Sequence, residues 1–250
     1  MLSIIVILKN KNIFVTGVGK GIGLDLLKTI ISEGGFVYGL TRSKKDIKNI
    51  KNVKNCKVFF GDVRDQKIIK KIFLLSIKEK RIIHGIVNNA GVRQRIKFDE
   101  LKEKKLRDLF EINFFSVFRI LKYYFSFYKK RKVPCSIINI GSIVGEIGFE
   151  GLTGYAATKT ALIGLTKSLA VEKAKEKIRV NLLCPGFIKT SYFNKFKKKK
   201  FLYKWTLSRI PVGRWGLTSE ITKIVCFLLS DNSSYINGQI IKVDGGWSAS

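Results

Sequence analysis

The sequence contains one histidine, His84, and this scarcity excludes two kinds of active site. A metal centre with several imidazole ligands cannot be assembled, and a Ser-His-Asp hydrolase would have to use this single ring. His84 stands at the start of an apolar run over residues 82–87, which is typical of a buried strand. We therefore interpret His84 as a structural residue, and the sequence predicts no metal site.

Cysteine and long apolar runs are also scarce. The four cysteines, Cys56, Cys135, Cys184 and Cys226, include no Cys-x-x-Cys pair and predict buried thiols in a reducing, cytoplasmic protein. The apolar opening, residues 1–8, is too short to span a bilayer and lacks a basic region and a cleavage site. We interpret it as a ragged start or an additional contact surface. Charges interrupt every later apolar run, so no membrane segment is predicted.

Acidic residues are few, with 18 Asp and Glu against 48 Lys and Arg and a formal net charge of +30. Such a surplus can attract nucleic acid, an anionic membrane or an acidic protein. The lysines are scattered over almost every predicted element, which favours a solvated basic surface, and only residues 129–132 and 197–200 form local runs. Because no recognition helix or aromatic platform is visible, a non-catalytic nucleotide or nucleic-acid binder is only a remote alternative.

Strands and helices alternate along the 250 residues. No linker or composition shift divides the chain, so residues 1–250 are predicted to form one domain. The predicted strands are residues 12–16, 35–41, 57–61, 82–87, 136–140, 177–184 and 239–243. Helices are predicted at residues 24–32 and 64–76, as two consecutive helical patterns over residues 98–129, from residue 155 onward, and at residues 218–229. This order predicts right-handed βαβ units and a parallel sheet.

A glycine-rich turn joins the first strand to the first helix. Glycines allow the backbone to approach a pyrophosphate, which the unpaired amides at a helix N-terminus bind. The residues of this turn that would contact a dinucleotide are Gly17, Gly19, Lys20, Gly21, Ile22 and Gly23. Their spacing is G-x-x-x-G-x-G.

The residue after the second strand bears on the choice of dinucleotide. An acidic side chain there accepts hydrogen bonds from the ribose of NAD, whereas a basic one pairs with the additional phosphate of NADP. The residue is Arg42, and Lys20 lies in the glycine turn, so NADP(H) is preferred and NAD(H) is the alternative. A solvated loop position is the other interpretation of Arg42. Asp62 and Val63 follow the third strand, at the sheet edge where ligands bind.

Tyr155 and Lys159 lie one turn apart if residues from 155 onward are helical. A free tyrosine has a pKa of about 10, and a neighbouring ammonium favours the phenolate. Ser142, at the end of a buried strand, can hydrogen-bond the oxygen that Tyr155 protonates. The three residues suit carbonyl reduction or alcohol oxidation. A tyrosine and a lysine that merely share an exposed helix face are the structural alternative.

Two further segments are unusual. Asn113 is a polar residue between two helical patterns rich in Phe, Leu and Tyr, and it costs stability unless it is hydrogen-bonded. The apolar face of these helices predicts either a subunit contact or additional core. Residues 191–211 have no clean period, carry Phe201, Tyr203 and Trp205, and are predicted to form a lid over the sheet edge.

Together these features resemble the classical short-chain dehydrogenase/reductase family over essentially the whole chain. The matching motifs are Thr16-Gly17-x-x-x-Gly21-Ile22-Gly23, Asp62-Val63, Asn88-Asn89-Ala90-Gly91, Asn113, Ser142, Tyr155-x-x-x-Lys159, and Pro185-Gly186 with Thr190. The resemblance implies one Rossmann-like, doubly wound sheet of about seven parallel strands with helices on both faces. It also implies a homodimer or homotetramer assembled through the helices around Asn113.

The resemblance also implies a role for each residue. Tyr155 would protonate the substrate oxygen as nicotinamide delivers hydride, and Lys159 would lower the pKa of the phenol and hold the nicotinamide ribose. Ser142 would orient the carbonyl, and Asn113 would fix a water of the proton relay. The residues that would bind the rest of the cofactor are Ile188 and Thr190 at the carboxamide and Asp62, Val63 and Asn89 at the adenosine.

Within the family, residues 113–119, 141–145 and 184–188 are most similar to 3-oxoacyl-[acyl-carrier-protein] reductases of fatty acid synthesis. Acyl carrier proteins are acidic, so the basic run 129–132 would steer one to the site. Arg42, the Tyr203-x-Trp205 segment and the Gly-Gly-Trp247 tail depart from that group and occur in reductases of sugars and other carbonyls. A sugar or polyol substrate is therefore the second hypothesis.

Overall fold

The computed structural model describes residues 6–249 except 49, 51, 52, 129, 130, 132 and 192. Seven parallel strands form its central sheet, in the order β3-β2-β1-β4-β5-β6-β9. The strands are β1 Asn12–Thr16, β2 Phe36–Thr41, β3 Cys56–Phe60, β4 Ile83–Asn88, β5 Cys135–Ile140, β6 Ile178–Pro185, β7 Ile188–Lys189, β8 Gly216–Leu217 and β9 Ile240–Val243. The short β7 and β8 form a separate parallel pair. The predicted fold class is confirmed.

Helices cover both faces of the sheet. They are α1 Gly21–Ser32, α2 Lys44–Lys48, α3 Gln66–Lys78, α4 Glu103–Phe110, α5 Ser116–Tyr128, α6 Thr153–Lys173, α7 Phe193–Lys197, α8 Lys200–Arg209 and α9 Thr218–Leu229. Along β1, Phe14 packs with α3 and α5, while its neighbours Ile13 and Val15 pack with α1 and α9. This alternation follows from the two-residue period of a strand and explains why the strand is apolar on both faces.

The order of the strands reverses between β1 and β4. The chain runs outward from β1 to β3 and then returns, so that β4 pairs with the other side of β1. In open parallel sheets a crevice forms at such a reversal, outside the carboxyl ends of the strands. The glycine turn after β1 and the Asn-Asn-Ala-Gly segment after β4 therefore meet at one place.

Two predictions differ from the observed elements. Helix α1 begins at Gly21 rather than at residue 24, because the glycine turn continues directly into it. Residues 191–211 are largely helical, as α7 and α8, because their aromatic side chains pack on a cluster that includes Trp215 and Trp247. Much of that cluster is distant in sequence and gives no local periodic signal.

The two helical patterns predicted over residues 98–129 correspond to α4 and α5. A π-helical turn, Glu111–Phe115, joins them and contains Asn113, the predicted junction residue.

The single histidine and most of the cysteines lie within the packed interior. The Nδ1 atom of His84 accepts a hydrogen bond from the Asn12 amide at 3.1 Å, and burial lowers the pKa of the imidazole. All four cysteines are free; three are buried, and Cys56 is only half-buried.

Leu8 is fully buried, whereas residues 1–5 of the apolar opening lie outside the described part. Of the basic run 129–132, only Arg131 is described. Across the described residues, no helix combines the length and apolarity needed to cross a bilayer.

Candidate active site

The glycine turn after β1 is shaped by backbone contacts that only glycine permits. Gly17 has a φ of +75°, and a Cβ added to Gly23 would lie 1.9 Å from the Gly17 carbonyl oxygen. The Lys20 side chain makes no capping hydrogen bond to the first turn of α1. Thr190 approaches the turn from the opposite side, with its Cβ 3.4 Å from the Cβ position of Gly21. The first amides of α1 are thus bordered by residues from two strand ends.

The segment after β4 is held to this turn by Thr16. The Thr16 hydroxyl accepts hydrogen bonds from the amides of Asn89 at 3.1 Å and Ala90 at 3.0 Å. The Asn89 side chain donates in return to the carbonyl oxygens of Thr16 at 2.9 Å and Gly17 at 3.3 Å. Asn89, predicted to line the adenosine, therefore also fixes the shape of the glycine turn.

Charged groups surround the ends of β2 and β3. Arg42 is exposed, and its charge contributes to lowering the pKa of Asp62. The main cause of that lower pKa is a hydrogen-bonded ion pair with Arg64, whose Nε lies 2.9 Å from Asp62 Oδ1. Val63 is partly buried against the core. Arg64 was not among the predicted site residues, although its position two residues after Asp62 is compatible with this pair.

A second carboxylate that sequence reasoning missed lies in the same corner. Asp46, in α2, contacts the glycine turn so closely that a Cβ on Gly19 would lie 2.1 Å from Asp46 Oδ2. The same Cβ would lie 2.6 Å from the Thr41 hydroxyl, at the end of β2. The sequence signal was an acidic residue five positions after that strand. Its importance depends on the path of α2, which the sequence does not specify.

Ser142 and Tyr155 meet beyond the end of β5. Tyr155 lies in the first turn of α6, where the Ser142 side chain is near enough to its phenol to influence its pKa. Burial raises the pKa of Tyr155, and the Ser142 side chain and the positive charge of Arg93 oppose this effect. Arg93 was not predicted. It follows the Asn-Asn-Ala-Gly motif by two residues, and only the folded loop brings it towards Tyr155.

Lys159 lies one turn after Tyr155, as predicted, but its ammonium has another partner. Its Nζ donates a 2.7 Å hydrogen bond to the Ile140 carbonyl oxygen and lies 5.7 Å from the centroid of the Tyr155 ring. Lys159 is only 5% exposed, and burial lowers its pKa to about 8. The groups that oppose the raised pKa of the phenol are Ser142 and Arg93, whereas the sequence argument assigned that effect to Lys159.

Asn113 occupies the π-helical turn and is fully hydrogen-bonded. Its Oδ1 accepts from the Val92 amide at 2.8 Å, and its Nδ2 donates to the Val92 carbonyl at 2.9 Å and to the Thr158 hydroxyl at 3.1 Å. Gly91 fits beneath it, because a Cβ there would lie 3.3 Å from Asn113 Oδ1 and 3.6 Å from Lys159 Nζ. The side chain thus holds the loop after β4 against α6. A water bound by Asn113 would have to use its main chain.

A cavity of about 480 Å³ lies beside the segment between Ser142 and Tyr155. One wall is formed by residues 147–150, and the other walls come from α8 and the C-terminal residues. Its lining residues are Arg95, Ile147, Gly148, Phe149, Glu150, Phe201, Leu202, Trp205, Arg209, Trp247 and Ser248. Aromatic rings dominate, with Phe149 and Trp205 at 5.7 and 5.6 Å from Trp247 between centroids.

The predicted site residues gather at one edge of the sheet. Each follows the carboxyl end of a strand: the glycine turn after β1, Arg42 after β2, Asp62 and Val63 after β3, Asn89 after β4, Ser142 after β5, and Ile188 and Thr190 after β6. Asn113, Tyr155 and Lys159 reach the same edge from the helical layer. In the part of the chain that the structure describes, no group of three or more metal-ligating side chains occurs.

The lowered pKa of Lys159 predicts a specific dependence of stability on pH. Between pH of about 8 and 10.5, the unfolded state binds the lysine proton and the folded state does not, so stability rises with pH. The free energy of unfolding of the wild type minus that of Lys159→Met should increase by roughly 3 kcal/mol across this range. Urea unfolding of both proteins at several pH values measures the difference. A difference that is flat or falls with pH contradicts the assignment.

The chain was compared with known proteins. The family model described as enoyl-(acyl carrier protein) reductase matches residues 17–248. The chain is 34% identical over 244 residues to 3-oxoacyl-[acyl-carrier-protein] reductase FabG of Thermotoga maritima, covering 96% of this chain and 98% of the relative.

Solved structures give a second comparison. A protein assigned as a 2-deoxy-D-gluconate 3-dehydrogenase of Agrobacterium tumefaciens, with bound NADP, superposes with a TM-score of 0.90 at 28% identity, covering 99% of this chain and all of that one. A 4-hydroxyisoleucine dehydrogenase complexed with NADH also gives 0.90 at 28% identity, covering 96% and 99%. The chain therefore belongs to the short-chain dehydrogenase/reductase family and is an oxidoreductase that acts on the CH–OH/C=O couple.

Proposed function

We propose that the protein is an NADPH-dependent reductase of 3-oxoacyl thioesters carried by acyl carrier protein. The observation that carries the reaction type is the placement of Ser142, Tyr155 and the buried Lys159 together, with Lys159 Nζ 5.7 Å from the centroid of the Tyr155 ring, at the edge that also bears the glycine turn. The thioester substrate is supported by sequence identities of 34% and 36% to two 3-oxoacyl-[acyl-carrier-protein] reductases over nearly the full chain. The apolar walls of the adjoining cavity suit an acyl chain.

The proposed cofactor site fits a dinucleotide. The first amides of α1 lack a side-chain cap from Lys20, and an uncapped helix N-terminus suits a pyrophosphate. When bound, the nicotinamide supplies the hydride that adds to the carbonyl carbon. The basic groups Arg42 and Lys20 support a preference for NADP(H), with NAD(H) as the alternative. Solved relatives carry either cofactor.

Tyr155 supplies the proton in this mechanism. Its raised pKa keeps the phenol protonated at neutral pH, which is the form that donates to the carbonyl oxygen as the carbon is reduced. The Ser142 hydroxyl hydrogen-bonds the same oxygen and stabilises its developing negative charge. The positive charge of Arg93 and the Ser142 side chain stabilise the phenolate that remains, and Lys159 would hold the nicotinamide ribose. Reprotonation would pass through a water held by the main chain of Asn113.

Replacement of Tyr155 tests the reaction type. Tyr155→Phe removes the proton donor but keeps the ring, so turnover of an acetoacetyl thioester should fall by about 10²–10⁴-fold while NADPH binding is retained. Tyr235→Phe is the matched control, since Tyr235 is fully exposed. The loss of NADPH absorbance measures turnover, and quenching of protein fluorescence measures cofactor binding. Full activity in Tyr155→Phe would refute the proposed donor.

A sugar or polyol is the second candidate substrate. It is favoured by the structural similarity to the protein assigned as a 2-deoxy-D-gluconate 3-dehydrogenase. A panel of ketoses, keto acids and acetoacetyl thioesters, assayed with both cofactors, separates the two candidates. Turnover confined to the sugars would replace the thioester proposal without changing the roles of Ser142 and Tyr155.

Opposing charges near the adenosine ribose should set the cofactor ratio. Arg42 would attract the 2′-phosphate of NADPH, whereas the Asp46 carboxylate against Gly19 would repel it and favour a free ribose. Asp46→Asn should raise the ratio of kcat/KM for NADPH to that for NADH by about tenfold, and Arg42→Gln should lower it similarly. Asp65→Asn serves as the control because Asp65 caps α3. Unchanged ratios in both variants would exclude these residues as selectivity determinants.

We also propose that the chain forms one domain and that residues 191–211 act as a lid over the substrate. We propose further that the protein assembles as a homodimer or homotetramer through α4 and α5. Phe115 and Phe118 support the assembly, because both rings are about two-fifths exposed on the outer side of these helices.

A double variant tests this assembly. Phe115→Ser with Phe118→Ser should shift the mass measured by light scattering towards that of the monomer. Leu74→Ser, which replaces an exposed side chain of α3, should leave the mass unchanged. An unchanged mass would place the interface elsewhere.

A further inference from the structure

Two guanidinium groups line the cavity beside the proposed catalytic residues, and the proton-transfer chemistry uses neither. Arg95 belongs to the loop after β4, and Arg209 is the last residue of α8. Most of the remaining lining is apolar, and its aromatic side chains are Phe149, Phe201, Trp205 and Trp247. The cavity is therefore amphiphilic: it offers apolar walls, two guanidinium groups and one carboxylate, that of Glu150, which forms no ion pair with either arginine among the described residues.

Arg95 is held in place by the opposite loop. Its Nε donates to the Glu150 carbonyl oxygen at 3.1 Å, and its Cγ packs against Gly151. The backbone supports this contact, because the Ile96 amide donates to the Gly151 carbonyl at 2.8 Å. One edge of the guanidinium is thus fixed by the main chain. Its terminal nitrogens have no carboxylate within ion-pair distance among residues the structure describes.

Arg209 is supported by an aromatic ring. Its guanidinium carbon lies 5.8 Å from the centroid of the Trp247 ring, within the range of a cation–π contact. Within the described ranges, it too has no ion-pair partner. This differs from the arginines that are neutralised elsewhere on the surface: Arg64, Arg107, Arg119 and Arg214 each pair with an aspartate or a glutamate. The positive charge at the cavity is therefore available to a ligand.

We propose that Arg95 and Arg209 bind an oxyanion of the substrate while Phe149, Trp205 and Trp247 hold its carbon chain. This inference rests on the proposed function, and it narrows the substrate class to an apolar carbonyl compound with an anionic end. Guanidinium groups match the geometry of phosphate and carboxylate oxygens, and they are more weakly hydrated than an ammonium group. The anion has two sources, the phosphate of a phosphopantetheine thioester or the carboxylate of a free keto acid.

Three substrates distinguish these sources. Acetoacetyl-CoA carries phosphates, acetoacetyl-N-acetylcysteamine has the same reacting group without a phosphate, and free 3-oxo acids carry only a carboxylate. The variants are Arg95→Gln, Arg209→Gln and the double replacement. Arg107→Gln is the matched control, since Arg107 is an exposed helical arginine paired with Glu103. Thermal unfolding and NADPH binding verify that each variant is folded.

For a phosphate source, each single variant should raise KM for acetoacetyl-CoA about tenfold, the double variant should raise it further, and kcat should change little. KM for acetoacetyl-N-acetylcysteamine should stay within about twofold of that of the wild type, because this substrate has no anion to lose. Added salt should weaken wild-type use of acetoacetyl-CoA more than that of the double variant.

Two other outcomes are informative. If both thioesters respond equally to the variants, or neither responds, the anion site is refuted while thioester reduction stands. If the wild type reduces no thioester but reduces a keto acid whose KM rises in the double variant, the thioester function fails and the anion site is retained with a carboxylate as its ligand.

Discussion

Burying an ammonium group destabilises a protein unless the group is hydrogen-bonded. Among the described residues Lys159 has no carboxylate partner, and its ammonium donates instead to one backbone oxygen. Its Nζ lies 2.7 Å from the carbonyl oxygen of Ile140, the last residue of β5. The bond attaches α6 to the strand end that is followed by Ser142, so the hydroxyl and the Tyr155 phenol are placed relative to each other by the same contact. Burial also lowers the pKa of Lys159 to about 8, which leaves it mostly cationic near neutral pH.

Two polar side chains extend this constraint to the cofactor side of the site. Thr16 holds the start of the loop after β4 against the glycine turn, and Asn113 holds its continuation, at Val92, against Thr158 of α6. Thr158 immediately precedes Lys159. The loop is therefore fixed both to the proposed pyrophosphate site and to the proposed proton donor, and the two halves of the reaction are positioned through one short segment.

The sequence predicts the elements whose signals are local. The seven strands of the central sheet are found within one residue, because each is a short β-branched or aromatic run bounded by turn residues. The Tyr155–Lys159 pair follows from helical spacing, whereas the two-residue strands β7 and β8 were not predicted. The remaining features depend on contacts between distant segments. The effect of Arg93 on Tyr155 requires the folded β4 loop, and the contact of Asp46 with Gly19 requires the path of α2. Likewise α8 has no apolar face that its sequence reveals, and its side chains Leu202, Tyr203 and Leu207 pack on a cluster that includes Trp215 and Trp247.

The difference between local sequence signals and contacts between distant segments also explains why the reaction type is easier to infer than the substrate. The proposed proton-transfer residues are anchored to strand ends, backbone carbonyls and one long helix, which the topology of the sheet places. The cavity walls come instead from α8, the C-terminal residues and two loops, and such segments vary without altering the sheet. Backbone similarity to relatives with different substrates therefore cannot select among them. In the proposed anion site, selection would depend on Arg95 and Arg209, which form no ion pair among the described residues and lie in a cavity whose aromatic lining would favour one polar group on an otherwise apolar ligand.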